Sequence, residues 1–297
     1  MLRREPPWVV GCEVAAARRS LRSLASDWRP DVVQLEFLAM ARYATALDRP
    51  RPPIVLVHYD AAPDGQEGPT PAWARHARRS LARVDALVVL SEHDRALVSQ
   101  FAPSPVRVIR PGLDLPPRAD QEGVSGVLFV GSFSHAPNIE AARRLVEVIH
   151  PLVRARRPDA TLTIVGADPP ADLSRGLGVR VTGRVPDVRP YVERAAVVVA
   201  PLAFGAGVRI KVLDALARGK ALVATNRAIA GLELRDGEHA LIHDDDREFA
   251  DAVAELLDDP QARSRLGDAA RAWAEDNLSW DVALDRYDRL YEELTRR

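Results

Sequence analysis

Short runs rich in valine, isoleucine and leucine alternate along this chain with amphipathic stretches, a pattern that few folds accommodate. A run that is apolar on both faces belongs inside a sheet covered on both sides, and the amphipathic stretch after it carries the chain back to begin a parallel neighbour. The first half offers strands over 31–36, 53–60, 86–91 and 106–112, with helices over 39–48, 71–84 and 92–101 and Ser91 placed as an N-cap. Residues 113–126 hold two prolines and two glycines and read as a linker. Beyond them the pattern restarts, with strands over 127–131, 161–166, 179–183, 197–202, 221–225 and 240–243. Helices are expected over 138–157, 188–194, 209–218, 247–257 and 261–277. A last helix, from the Ser279 cap to about 296, carries Tyr287, Leu290, Tyr291 and Leu294 on one stripe.

With 297 residues, 47% hydrophobic and 28% charged, the chain has enough apolar material for two cores. The expected architecture is α/β: two Rossmann-like doubly wound domains facing each other across a cleft. The N-terminal one, over 1–118, is short and incomplete, because it opens on a helical pattern rather than a strand. The second spans 119–278, and the helix over 279–297 packs back on the first. The formal net charge of −1 leaves no excess for a polyanion, so nucleic acid is not an expected partner. Residues 1–118 sum to +4 and the rest to −5. Cys12 is the single cysteine, which excludes an internal disulfide and a cysteine zinc cluster. No apolar run reaches the roughly 18 to 20 residues of a membrane span. A cytoplasmic protein is expected, with attachment at the inner membrane face as the one variant. Only Lys211 and Lys220 among the 41 basic residues are lysines.

The densest chemistry lies over 197–225. A buried strand runs into Gly205, Ala206, Gly207 and Val208, and a helix follows with Arg209, Lys211 and Asp214. Small residues let backbone N–H groups come close to a ligand, and a helix N-terminus favours an anion. Cations at that end oppose the helix dipole, which a bound phosphate would explain; solvated side chains around a tight turn are the plain alternative. Asp214 reads as an acceptor for ribose hydroxyls or as a surface partner of Lys211. The stretch fails the dinucleotide fingerprint, lacking its third small residue, and it fails the P-loop pattern around Lys211.

These residues, with 127–133, Pro137, Asn138, 162–166, 183–187, Pro201, Leu202, Gly219, 223–225, Gly231 and Leu232, resemble in order and spacing the nucleotide-binding domain of the group 1, family 4 type retaining glycosyltransferases of GT-B fold. The resemblance implies a nucleoside-diphosphate sugar as donor substrate, no further cofactor and no metal, and a hydroxyl acceptor that is a glycan, a lipid-linked molecule or a small molecule. It places Gly131, Ser132, Arg184, Val185, Gly205, Ala206, Gly207, Val208, Arg209, Lys211 and Asp214 around the donor. Asp214 stands at the second acidic position of the family's Glu, seven residues, Glu motif, while Ala206 stands at the first, so that acid is missing.

The first half is similar to the later part of the family's acceptor domain. The resemblance implies catalytic roles for His58, Asp60 and Glu36; a buried structural histidine and capping carboxylates are the alternatives. Arg75, His76, Arg78, Arg79 and Arg83 could meet anionic lipid or simply face water. Trp273 and Trp280 are expected to pack the last helices. Two rival functions share the fold: a scaffold or partner-dependent binder, whose protein partner would complete the short first domain, and a nucleotide-sugar epimerase or hydrolase.

Overall fold

The computed structural model describes residues 11–47, 50–59, 71–117, 124–205 and 209–296. They divide into two compact units. The first takes the chain to Pro111 and again from Ala283, and the second holds Gly112–Gly205 and Arg209–Val282.

The first unit contains a parallel sheet of β1 (Val33–Glu36), β2 (Ile54–His58), β3 (Ala86–Val89) and β4 (Val106–Val108), ordered as in the sequence. Each crossover advances by one strand in the same direction, so right-handed connections place all of them on one face. That face is packed by Leu38, Ala41 and Ala44, by Trp73, Ala77 and Leu81 of the Pro71–Leu81 helix, and by Val98 and Phe101, against Ile54, Leu56, Leu87 and Val89. The opposite face, Val55, Val57, Ala86 and Val88, is covered by Leu290 and Leu294 of the last helix, with Tyr287 and Tyr291 at the margin. Ser91 caps the Glu92–Ser99 helix by accepting from the Asp94 N–H at 3.1 Å.

The expected helix over 39–48 is instead a 3₁₀ segment, Leu38–Ala46. No side chain caps its start, and six of its nine residues are buried, so packing rather than an amphipathic stripe sets its shape. A helix over Ala15–Trp28 precedes β1, matching the helical opening of the sequence. Of the arginine group, Arg75, Arg78, Arg79 and Arg83 are exposed, and Arg78 lies over the Phe101 ring. His76 does not share their face: it is buried beside Ser80.

The second unit is a six-stranded parallel sheet of β5 (Val127–Val130), β6 (Leu162–Val165), β7 (Val179–Val181), β8 (Val197–Ala200), β9 (Ala221–Ala224) and β10 (Leu241–Ile242), in the order β10-β9-β8-β5-β6-β7. The chain starts in the middle at β5, winds outward to β7, then returns to β8 and winds the other way. The reversal lies between β5 and β8, and the loops leaving their carboxyl ends splay apart into the crevice where doubly wound sheets take ligands. The helix expected over 138–157 is interrupted: α-helical over Ala136–Arg144, a π turn over Leu145–Ile149, then α-helical over His150–Arg156. Pro151 has no N–H for the Glu147 carbonyl and its ring would strike that carbonyl, and the wider turn relieves the clash. Trp273 is buried in this unit, whereas Trp280 is half-exposed. Its ring lies flat on Gly112, and its Nε1 donates to Asp114 at 3.1 Å.

Candidate functional site

The loops after β5 and β8 carry the site. Gly131 ends β5 and donates its N–H to Val165 O at 2.9 Å. A Cβ on it would sit 2.9 Å from Asn138 Cγ, so only glycine lets Asn138 close over this strand end. Asn138 is held in turn: its Nδ2 donates to Ser132 O at 2.8 Å, which leaves Oδ1 aimed at Lys211 Nζ, 2.6 Å away. The Lys211 ammonium also lies 4.2 Å from the centre of the Phe129 ring.

Lys211 sits in the first turn of the Ile210–Ala217 helix. Its partners among the described residues are an amide oxygen and an aromatic face, with no carboxylate. Burial, and then the charge of Arg209, push its amine down to about 7. Arg209 is the N-cap rather than part of the first turn. Its guanidinium folds back over Gly205: a Cβ there would lie 2.9 Å from Arg209 Nη2 and 3.1 Å from Pro137 Cγ, and the backbone at φ +111° is one that side chains rarely adopt. Two cations are thus gathered at a helix N-terminus, on a wall made of glycine, proline and amide. Ala206, Gly207 and Val208 lie outside the described residues.

Ser132 is exposed and shares a hydrogen bond with Ser134 at 2.9 Å. Arg184 and Val185 follow β7, two strands from β5, after Gly183 at φ +71°. Asp214 lies one turn beyond Lys211 but turns the other way. Its Oδ1 accepts from Arg218 Nε at 2.9 Å, and Arg218 also reaches Glu193 at 3.1 Å. The pairing with Lys211 weighed from the sequence is not made. The sequence offered Asn138 and Phe129 only as part of the family resemblance and not as partners of Lys211, and no local spacing joins either of them to that residue. Among the described residues no three His, Cys, Asp or Glu side chains come together as metal ligands.

In the first unit, His58 ends β2 on the side of Trp73, their rings 6.3 Å apart, and burial pushes it down to about 4. Neither ring nitrogen has a hydrogen-bond partner among the described residues. It is a neutral, enclosed imidazole. Asp60 lies outside the described residues. Glu36 ends β1, accepts from Gln34 Nε2 at 2.6 Å, and adds to the burial that pushes Tyr59 up to about 12. Thus Glu36 and His58, grouped by the sequence, point to different surroundings.

Residues 125–259 match the family model described as Glycosyl transferases group 1, and residues 5–116 match Glycosyltransferase Family 4. The chain is 29% identical over 242 residues to the D-inositol 3-phosphate glycosyltransferase of Corynebacterium aurimucosum, covering 70% of this chain and 57% of that protein. It is 28% identical over 288 residues to the enzyme of the same name from Rhodococcus jostii, covering 85% and 62%. The chain therefore spans only about three-fifths of the length of these relatives. Among solved structures it is similar to Anabaena HepE in complex with UDP, at TM-score 0.76 and 14% identity over 94% of this chain and 82% of that one. Sucrose-phosphate synthase from Thermosynechococcus elongatus gives TM-score 0.75 and 16% identity, over 94% and 77%. At such identities the structural likeness is one of fold: both units are those of a GT-B protein.

Proposed function

Because the chain belongs to the group 1, family 4 type glycosyltransferases, we propose that it moves a sugar from a nucleoside-diphosphate sugar to a hydroxyl of an acceptor, with retention of anomeric configuration and without a metal. The observation that carries the reading is Lys211: a desolvated ammonium at a helix N-terminus, held by a neutral amide, next to a second cation. Among the described residues no carboxylate meets this ammonium, and a diphosphate would supply the anion. The UDP bound to the HepE neighbour and the names of the curated relatives support the same assignment.

In this reading the diphosphate lies over Gly205 and the start of the Ile210–Ala217 helix. As the bond from anomeric carbon to phosphate oxygen breaks, negative charge grows on the departing diphosphate, and Arg209, Lys211 and the helix N–H groups are already aimed at it. Asp214, fixed by Arg218, accepts from the ribose hydroxyls. Retention and independence of metal are inferences from the family and from this cationic clamp. The acceptor is assigned to the first unit.

The test is release of nucleoside diphosphate from UDP-, GDP- and ADP-sugars, with and without a cell extract as acceptor source. Transfer requires the extract, whereas epimerisation does not and a scaffold releases nothing. Arg209→Ala is expected to weaken donor binding about ten-fold to a hundred-fold by calorimetry. Unchanged affinity would sink the assignment.

A further inference from the structure

At the carboxyl ends of β1 and β2 the first unit gathers Glu36, Phe37, Tyr59, Tyr287 and Tyr291. Phe37 stands at φ +68° and ψ 142°, a conformation that costs a residue with a Cβ about 1–3 kcal/mol. It is fixed from both sides. Its N–H donates to Val57 O at 2.8 Å, and its carbonyl accepts from the Met40 N–H at 2.9 Å. The turn keeps the Phe37 ring 56% exposed, out of the core that begins at the next residue, Leu38. Tyr59, itself 39% exposed, lies against it with ring centroids 4.9 Å apart. Backbone strain that holds an aromatic pair in solvent is a property of ligand sites rather than of cores.

Beside the rings, Glu36 has one satisfied oxygen and one that is not. Oε1 takes the Gln34 amide, and the Tyr59 phenol hydrogen-bonds the carboxylate as well; Oε2 is buried with no donor in good hydrogen-bonding geometry among the described residues. Among the described residues, the ionisable groups that feel Glu36 are the phenols of Tyr59, Tyr287 and Tyr291, the one further charge acting on them is Asp288, and no cation enters this set.

We propose that the cluster binds an uncharged, ring-shaped polyol, its C–H face on Phe37 and Tyr59 and one hydroxyl donating to Glu36 Oε2. Apolar contact with one or two directed polar groups is the usual recipe of a small-molecule site. A phosphate on that end of the ring would meet a carboxylate with no compensating cation, so the site selects against phosphorylated rings. As the acceptor subsite of a transferase it rests on the function proposed above; as a polyol site it does not.

Saturation-transfer NMR on the full chain tests this with methyl α-glucoside and myo-inositol as neutral probes, glucose 6-phosphate as an anionic one and choline as a cationic one. At least one neutral ring is expected to bind, with the phosphate ester about ten-fold weaker or worse. Glu36→Gln is expected to weaken the neutral probe about ten-fold, the loss of one charge-assisted hydrogen bond. Phe37→Gly is expected to do the same while raising Tm, because it relieves the turn and removes only the ring. A packing residue would lower Tm instead. The proposal is overturned if neither polyol binds, if choline or the phosphate ester binds better, or if Phe37→Gly binds as wild type does. UDP binding, read by calorimetry on the same samples, should not change in either variant. Polyol binding with no nucleotide released from any nucleotide sugar refutes the transferase and keeps the site. Nucleotide release with no polyol binding refutes the site alone.

Discussion

Each unit bends its backbone into positive φ just beyond a parallel strand, at Gly205 in the second and at Phe37 in the first, and then does opposite things with the bend. At Gly205 the missing side chain leaves room for a guanidinium to lie on the α-carbon. At Phe37 the side chain is what the bend presents. One strand end therefore offers bare backbone and two cations, the other a carboxylate among phenyl and phenol rings. The geometry of parallel strands explains where ligand groups gather in both cases, and residue chemistry alone explains which ligand. Net charge misleads here: the cationic end belongs to the half whose formal sum is negative, because two positioned side chains outweigh a total spread over the surface.

The comparison breaks most sharply at Lys211. Lys211→Met should reduce affinity for a nucleoside diphosphate by about a hundred-fold, the order found when one member of a buried charge pair is lost. A bound anion favours the ammonium, so the amine that stands at about 7 when free must gain a proton on binding near pH 8. The binding enthalpy of the wild type should accordingly vary with the ionisation enthalpy of the buffer, and that of Lys211→Met should not. A buffer-independent wild type would mean that no anion meets this amine.

A smaller effect is expected at the two bends. Gly205→Ala should lower Tm, at a cost of about 1–3 kcal/mol, because the methyl group meets Arg209 and Pro137 in a conformation it resists. Phe37→Gly should move Tm the other way. Changes of the same sign would erase the contrast drawn between the units.

An effect confined to acid pH comes from two enclosed histidines, one in each unit. Burial holds both His58 and His150 at about 4, against roughly 6.5 in an unfolded chain. Between those values the unfolded state takes up the proton and the folded state does not. Their contribution is therefore complete above about pH 6.5 and is lost as the pH falls toward 4, by at most about 1.4 kcal/mol per pH unit for each. His58→Phe and His150→Phe should each flatten the acid side of a denaturant-stability profile. An unchanged slope would show that the imidazole titrates as freely in the folded chain as in the unfolded one.

Much of this was legible before any coordinates. The strand runs carry their own signature, and the loop of glycines before Arg209 and Lys211 is a local feature whose meaning follows from backbone chemistry. What escaped is what tertiary contact decides. Asn138 and Phe129 reach Lys211 from 73 and 82 positions away in the chain, and no spacing rule joins them. Arg209 was expected inside the helix, and its cap position depends on the loop before it. Asp214 has cations on both sides, Lys211 three residues back and Arg218 four residues on. Helical spacing permits either pair, and the pull of Asn138 on Lys211 settles which one forms. The π turn needed recognition of Pro151 within a long amphipathic run. For His58, one residue of strand phase separates a ligand-facing ring from one shut against Trp73.

A chain that writes nearly all its positive charge as arginine has left itself two primary amines on side chains. One, Lys220, is sealed, its nitrogen bonded to the Glu193 carbonyl. The other, Lys211, is pushed by burial and by Arg209 toward the free amine, down to about 7. Acylating or aldehyde reagents, which scatter over the surface of most proteins, would among the lysines find a single nucleophile here, and its occupancy by label would report directly on whether the crevice beside it is filled.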